Sequence, residues 1–145
     1  DGAVAQGAEV LVDGRGLVVP GFEKGFFVGP TLLKITNDMT IAHDEVFGPV
    51  LGIITCDTLD QAIDMIHGNP HGNAASIFTS SGRAAREFKY RVFCGNIGIN
   101  IGIAAPLATF PFGGMKDSFF GDLHGQGRDG IEFFTDRKVV ITRWF

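Results

Sequence analysis

The chain has 145 residues, enough for one domain with its own hydrophobic core. Hydrophobic residues make up 45% of it and charged residues 19%, and the formal net charge is −4. Nucleic acids and anionic membranes attract basic surfaces, and no apolar run approaches the ~18–20 residues of a membrane span. The composition therefore predicts a globular protein with no nucleic-acid or membrane partner.

Cysteine usage and the first residues indicate the setting of the chain. Cys56 and Cys94 are too few for a disulfide framework and no signal peptide is present. We therefore expect a cytoplasmic protein, or one of the mitochondrial matrix in a eukaryote. The chain starts without Met, on a segment typical of a helix end with Gly7 as its stop. Because a domain rarely begins inside an element, we expect a piece of a larger protein.

Extended segments dominate the first third of the chain. Residues 8–13 are β-prone and are closed by a turn at 13–16. A second strand is expected within 26–35, where Pro30 indicates an edge or bulged strand because proline cannot donate to a ladder. The continuous apolar run 50–55 is typical of a strand that is covered on both faces.

Helices and strands then alternate. The capping-box pattern Thr58–Gln61 begins an amphipathic helix that ends before Pro70, and a second helix follows Ser81. Short strands are predicted at 75–79 and 96–101. This order indicates βαβ units and a parallel sheet, so the predicted fold class is α/β.

The last third is irregular until the final residues. Residues 102–130 are rich in glycine, which is typical of a functional loop or a packed Ω-type segment. Residues 137–145 alternate in the manner of a β-strand, and none of the other predicted strands offers it an obvious edge. We therefore expect this closing strand to pair with another subunit or with further sequence.

Three local patterns are better explained by structural roles than by catalytic, metal-binding or nucleotide-binding roles. Cys56 precedes a helix and Cys94 lies among apolar residues, and neither has a neighbouring base that would make it a nucleophile. His67 and His71 are four residues apart, but a proline breaks the helix that would align them, so no metal site is predicted. The G-x-G-x-x-G match at 125–130 follows a polar loop rather than a strand, so a glycine-rich turn is the better interpretation.

The stretch Glu45–Pro49 carries the strongest functional signal. Taken alone, it is a turn that enters a strand, with Gly-Pro as punctuation. A carboxylate such as Glu45 can instead accept hydrogen bonds from two neighbouring ribose hydroxyls. Phe47 follows two residues later in an extended chain, so its ring can pack on the same side against a nicotinamide.

Five blocks in a fixed order give this motif its context, and together they span essentially the whole chain. They are Gly25–Leu32, Glu45–Val50, Asn69–Asn73, Gly95–Asn100 and Pro111–Ser118. As an ordered set, they resemble the C-terminal part of the aldehyde dehydrogenase superfamily.

The loop after the last block resembles one branch of that superfamily. Ser118–Asp122 and Asp129–Thr135, with Val12–Arg15 near the start, are similar to the CoA-acylating methylmalonate-semialdehyde (malonate-semialdehyde) dehydrogenases. Residues 102–106 depart from the more proline-rich stretch of that branch. A hydrolytic NAD(P)-dependent aldehyde dehydrogenase, which transfers the acyl group to water, is the alternative.

The resemblance implies a fold and a set of contacts. Residues 1–136 would form part of an α/β catalytic domain, and residues 137–145 an oligomerisation strand that builds a homodimer or homotetramer. Glu45 would hold the nicotinamide ribose of NAD and Phe47 would pack on the nicotinamide side. Phe112 would line the substrate end.

The resemblance also implies a reaction. A Cys thiolate attacks a semialdehyde, hydride passes to NAD, and CoA takes the acyl group with loss of carbon dioxide. In family order the nucleophile and the oxyanion-stabilising asparagine precede Asp1, so these 145 residues alone are expected to be inactive. A non-catalytic oligomerisation module is the remaining alternative.

Overall fold

The computed structural model describes residues 1–145 and confirms the α/β class. The chain divides into two compact units, residues 1–61 and residues 62–145. None of its helices has the length and apolar character that crossing a bilayer requires.

A three-stranded sheet forms the centre of the first unit. Strand β2 lies between β1, which is antiparallel to it, and β3, which is parallel to it. A short helix precedes the sheet, and a 3₁₀ turn separates its last two strands. The elements are α1 (Gly2–Ala5), β1 (Glu9–Val12), β2 (Thr31–Lys34), the 3₁₀ turn (Thr40–Ala42) and β3 (Val50–Ile53).

The predicted helix end at the start of the chain is confirmed. Gly7 adopts a left-handed φ of +99°, and its N–H donates to the carbonyl of Val4 at 3.0 Å. Glycine favours this conformation because it has no Cβ, and the chain can turn at once into β1. The turn brings together the buried apolar cluster of the unit: Ala3, Ala8, Leu33, Ile35 and Met39.

The position of β2 and the exposure of β3 correct two predictions. β2 is the central strand and not an edge, because Pro30 lies one residue outside the ladder and removes no donor from it. The irregularity of the pairing lies in β1, where the register shifts between residues 10 and 12. β3 is not covered on both faces by this chain, since Leu51 is 62% exposed.

The second unit contains two small sheets of two strands each. β5 and β6 are parallel and are joined by a helix, which confirms one predicted βαβ unit, whereas β4 and β7 are antiparallel. Helix α2 runs across the division between the units. The elements are α2 (Leu59–Gly68), β4 (His71–Gly72), β5 (Ala74–Ile77), α3 (Gly82–Arg91), β6 (Asn96–Ile99), β7 (Met115–Lys116) and α4 (Gly127–Phe133).

Side-chain caps begin both long helices at the predicted positions. The Thr58 hydroxyl accepts a hydrogen bond from the Gln61 N–H at 3.2 Å. The Gln61 side chain reaches back to the Asp57 N–H at 2.8 Å, one residue before the usual return bond of a capping box. At α3 the Ser81 hydroxyl accepts from the Ala84 N–H at 3.2 Å.

The C-terminal third holds one correction and one open prediction. Gly127 begins α4, so the match at 125–130 is the entry of a helix rather than a turn alone, although no strand leads into it. Residues 137–145 pair with no strand of the chain, and their apolar side chains are exposed. Their pairing with another subunit therefore stays a prediction.

Ser81→Ala should lower the free energy of unfolding by about 0.5–2 kcal/mol, because an N–H in the first turn of α3 loses its acceptor. Urea denaturation measures the change. The neighbouring Ser80→Ala is the matched control, with an expected change below about 0.5 kcal/mol. Equal losses in the two variants would contradict the capping role of Ser81.

Candidate cofactor and substrate site

The segment Glu45–Pro49 is held at both ends by backbone hydrogen bonds. On its N-terminal side, the Asp44 N–H donates to the carbonyl of Thr40 at 3.0 Å, which closes the 3₁₀ turn. On its C-terminal side, the Pro49 carbonyl accepts from the Thr31 N–H at 2.8 Å, where the β2–β3 ladder begins. The residues between are a short exposed connection with fixed ends.

Glu45 and Phe47 lie two residues apart in this exposed connection. Val46 lines a cavity of about 270 Å³ in the first unit, whereas Glu45 is exposed and Phe47 is 97% exposed. The Glu45 carboxylate has no hydrogen bond or ion pair within the chain. A carboxylate with free oxygens can accept hydrogen bonds from two hydroxyls, and an exposed aromatic ring can pack against a flat apolar group.

An ion-pair cluster lines the same cavity. Arg15 donates to both carboxylate oxygens of Asp13, at 2.9 Å and 2.6 Å, and also contacts the carboxylate of Asp1. The hydrogen bonds from Arg15 lower the pKa of Asp13 to about 2, and the same pairing raises the pKa of Arg15. Because two carboxylates already match its charge, Arg15 is not available to anchor a phosphate.

Phe112 lies three residues before β7 in the second unit, where it forms an isolated antiparallel bridge with Gly125, and the residues from Phe112 to Lys116 are called here the Phe112–Lys116 segment. Its N–H donates to the carbonyl of Gly125 at 2.7 Å, and its carbonyl accepts from the Gly125 N–H at 3.0 Å. The ring is 39% exposed, so a fixed backbone offers it to a neighbour or a ligand. The structure thus places Glu45 and Phe47 in one exposed connection of the first unit and Phe112 in the second unit.

Close contacts explain the glycines in and beside the Phe112–Lys116 segment. A Cβ on Gly95 would lie 2.1 Å from the carbonyl oxygen of Gly113, and a Cβ on Gly113 would lie 2.2 Å from the His124 ring. A Cβ on Gly114 would lie 2.6 Å from the Cβ of Ser118. No side chain fits at these separations, so glycine is a steric requirement at all three positions.

Sequence reasoning missed the side chain that anchors this segment. Lys116 was assigned no role, but its Nζ donates to the carbonyls of Ile66, His67 and Asn69 at the end of α2. The contacts join residues 47 to 50 positions apart in the sequence, so no local pattern could reveal them.

Other candidate side chains also have partners within the chain. His67 Nε2 lies 2.9 Å from the carbonyl oxygen of Arg91, and His124 Nδ1 lies 3.4 Å from the Asp129 carboxylate. Arg128 is exposed and forms an ion pair with Glu132, one helical turn along α4. These contacts account for the three side chains without a ligand.

The two thiols differ in their burial. Cys94 is buried, and burial raises the pKa of its thiol, although the nearby charge of Lys116 opposes the shift. Cys56 is an exposed free thiol. An activated thiolate needs a lowered pKa, which the surroundings of Cys94 work against.

Comparison with known proteins assigns the fold to a family. Residues 1–140 match the model of the aldehyde dehydrogenase family. The chain belongs to this family. It is 46% identical to a malonate-semialdehyde dehydrogenase of Pseudomonas aeruginosa, and the match covers 99% of the chain and 29% of that relative.

Solved structures agree with this assignment. The methylmalonate-semialdehyde dehydrogenase of Oceanimonas doudoroffii has a TM-score of 0.95 and 46% identity, over 99% of the chain and 30% of that structure. The aldehyde dehydrogenase of Mycobacterium tuberculosis, in complex with NAD⁺, has a TM-score of 0.80 and 34% identity, over 94% of the chain and 27% of that structure. The chain therefore spans less than a third of the length of these aldehyde dehydrogenases.

Gly95→Ala should lower the free energy of unfolding by about 1–3 kcal/mol, because the new methyl group overlaps the Gly113 carbonyl and forces the Phe112–Lys116 segment to move. Gly102→Ala is the control, since a Cβ there meets nothing within 4 Å. Urea denaturation compares the two variants. A Gly95→Ala protein as stable as Gly102→Ala would refute the steric requirement.

Proposed function

We propose that the chain supplies the nicotinamide-ribose contact and part of the substrate pocket of an NAD-dependent, CoA-acylating semialdehyde dehydrogenase. The proposal is carried by the exposed Glu45 carboxylate, which has no partner in the chain, with the exposed ring of Phe47 two residues later. Similarity to malonate- and methylmalonate-semialdehyde dehydrogenases favours methylmalonate or malonate semialdehyde as the substrate.

Each site residue has one task in this proposal. Glu45 accepts hydrogen bonds from the two ribose hydroxyls, which fixes the rotation of the sugar. Phe47 packs on the nicotinamide side and restricts the ring to the orientation that hydride transfer needs. Phe112 lines the substrate end and excludes water from it. NAD, when bound, supplies the hydride acceptor.

The overall reaction converts the semialdehyde, NAD⁺ and CoA into propionyl-CoA or acetyl-CoA, carbon dioxide and NADH. We assign the nucleophile to neither Cys94, whose thiolate is disfavoured by burial, nor Cys56. Residues 1–145 alone are therefore proposed to be inactive, because a ribose contact without a nucleophile cannot carry the reaction. We further propose a homo-oligomer joined through residues 137–145, located in the cytoplasm or, in a eukaryote, in the mitochondrial matrix.

Two alternatives differ from this proposal in measurable ways. A hydrolytic aldehyde dehydrogenase would use the same ribose contact but release a free acid. An oligomerisation module would use the exposed residues 137–145 without any chemistry. Concentration-dependent oligomers of a full-length gene product that forms no NADH with any semialdehyde would favour the module.

Glu45→Gln in the full-length enzyme should raise the KM for NAD about tenfold, because hydrogen bonds to a charged acceptor are roughly twice as strong as neutral ones. Initial rates at saturating semialdehyde measure the change. Asp44→Asn removes the adjacent exposed carboxylate and is the matched control, with an unchanged KM. Equal KM values for Glu45→Gln and the parent enzyme would remove the ribose contact from the proposal.

Product analysis of the full-length enzyme with and without CoA tests the acyl acceptor. We expect an acyl-CoA and NADH in equal amounts when CoA is present, because the thioester is transferred to the CoA thiol. A free acid formed at the same rate without CoA would instead identify the hydrolytic alternative.

A further inference from the structure

We propose that Lys116 is a positioning residue for the substrate pocket, because its ammonium group ties β7, and with it the Phe112–Lys116 segment, to the end of α2. The inference rests on the proposed role of Phe112 in lining the substrate end. It extends the positioning of the substrate to a side chain that fixes the Phe112–Lys116 segment and does not contact the aldehyde itself.

All three N–H donors of the Lys116 ammonium group have acceptors within the chain. Nζ lies 2.9 Å from the carbonyl oxygen of Ile66, 3.1 Å from that of His67 and 2.9 Å from that of Asn69. The last carbonyls of a helix have no partner inside the helix, and its C-terminus favours a positive charge. Lys116 therefore caps α2 and keeps no donor for a ligand.

The backbone of Lys116 adopts an unusual conformation in making this contact. Its φ is +54°, in the left-handed region that side chains other than glycine rarely occupy. Such a conformation persists only where surrounding contacts hold it, and it is frequent at functional sites. Here the pairing of Lys116 with His71 and the bond from the Asp117 N–H to the Pro70 carbonyl, at 3.1 Å, hold it on both sides.

The connection from Lys116 to Phe112 is short and rigid. Gly113, next to Phe112, has no space for a Cβ, and its carbonyl accepts from the Asn96 side-chain amide at 3.2 Å. Beyond Lys116, the Ser118 hydroxyl accepts a backbone N–H of β4 at 3.0 Å. Displacement of the anchor is therefore passed to the Phe112 ring, and a misplacement of about 1 Å at a substrate contact can cost about 100-fold in rate.

Lys116→Met keeps a long side chain but removes the charge and the donors, whereas Lys116→Arg keeps the charge. In the full-length enzyme, we expect Lys116→Met to lower kcat/KM for the semialdehyde about 10- to 100-fold at saturating NAD. The KM for NAD should stay within about twofold, because Glu45 and Phe47 are not involved. Lys116→Arg should recover most of the loss, since its guanidinium can still cap the helix.

Ile63→Val is the matched control for a purely structural role. Ile63 is 1% exposed and lies on α2, so its truncation destabilises the same helix without touching the Lys116 contacts. At a temperature where both variants are folded, Ile63→Val should keep kcat/KM within about twofold of the parent enzyme. If Lys116→Met matches Ile63→Val in both kinetic parameters, the positioning role is overturned.

Amide hydrogen exchange separates failure of this inference from failure of the proposed function. Lys116→Met should speed exchange in the peptide 111–118 at least about tenfold and leave α3 unchanged. A parent enzyme that oxidises semialdehydes, with Lys116→Met altering neither kinetics nor exchange, would preserve the function and overturn the inference. A parent protein without that activity would overturn the proposed function, and the exchange data would then decide whether Lys116 anchors the Phe112–Lys116 segment.

Discussion

The close approach of two backbone segments at Gly95 and Gly113 is the constraint on which the second unit depends. A Cβ on Gly95 would lie 2.1 Å from the Gly113 carbonyl oxygen, so the residue before β6 and the Phe112–Lys116 segment touch through their main chains. This contact brings the Gly113 carbonyl within reach of the Asn96 amide. Buried apolar side chains in this unit are few, and the Lys116 ammonium group adds hydrogen bonds to the carbonyls at the end of α2.

In the first unit, the pairing of β2 with β3 fixes the position of the exposed connection at residues 45–49. The parallel register of β2 and β3 begins with the bond between Thr31 and Pro49, and this register fixes where the preceding segment leaves the sheet. Within that segment Val46 lines the cavity of the unit, whereas Glu45 and Phe47 are exposed and are not among its lining residues.

Local signals in the sequence predicted local structure well. The stop at Gly7 and the caps at Thr58 and Ser81 each depend on residues within three or four positions, and all of them occur where expected. The place of β2 in its sheet could not be read in this way, because a proline just outside a ladder and one inside it look alike in sequence. Glu45 and Phe47 were singled out by resemblance and local spacing. Lys116 was missed because its partners lie near residue 66.

The exposed residues 137–145 have a consequence for the thermodynamics of association. The Glu132 carboxylate accepts both Arg128 on α4 and Arg137 at the start of this segment, at 2.8 Å and 2.6 Å. The Arg137 pair ties the first residue of the segment to α4, so that residue samples fewer conformations than it would without the pair. Strand pairing would therefore cost less conformational entropy at residue 137 than at the residues after it. High ionic strength weakens exposed ion pairs, so salt would return that freedom and make pairing entropically more costly.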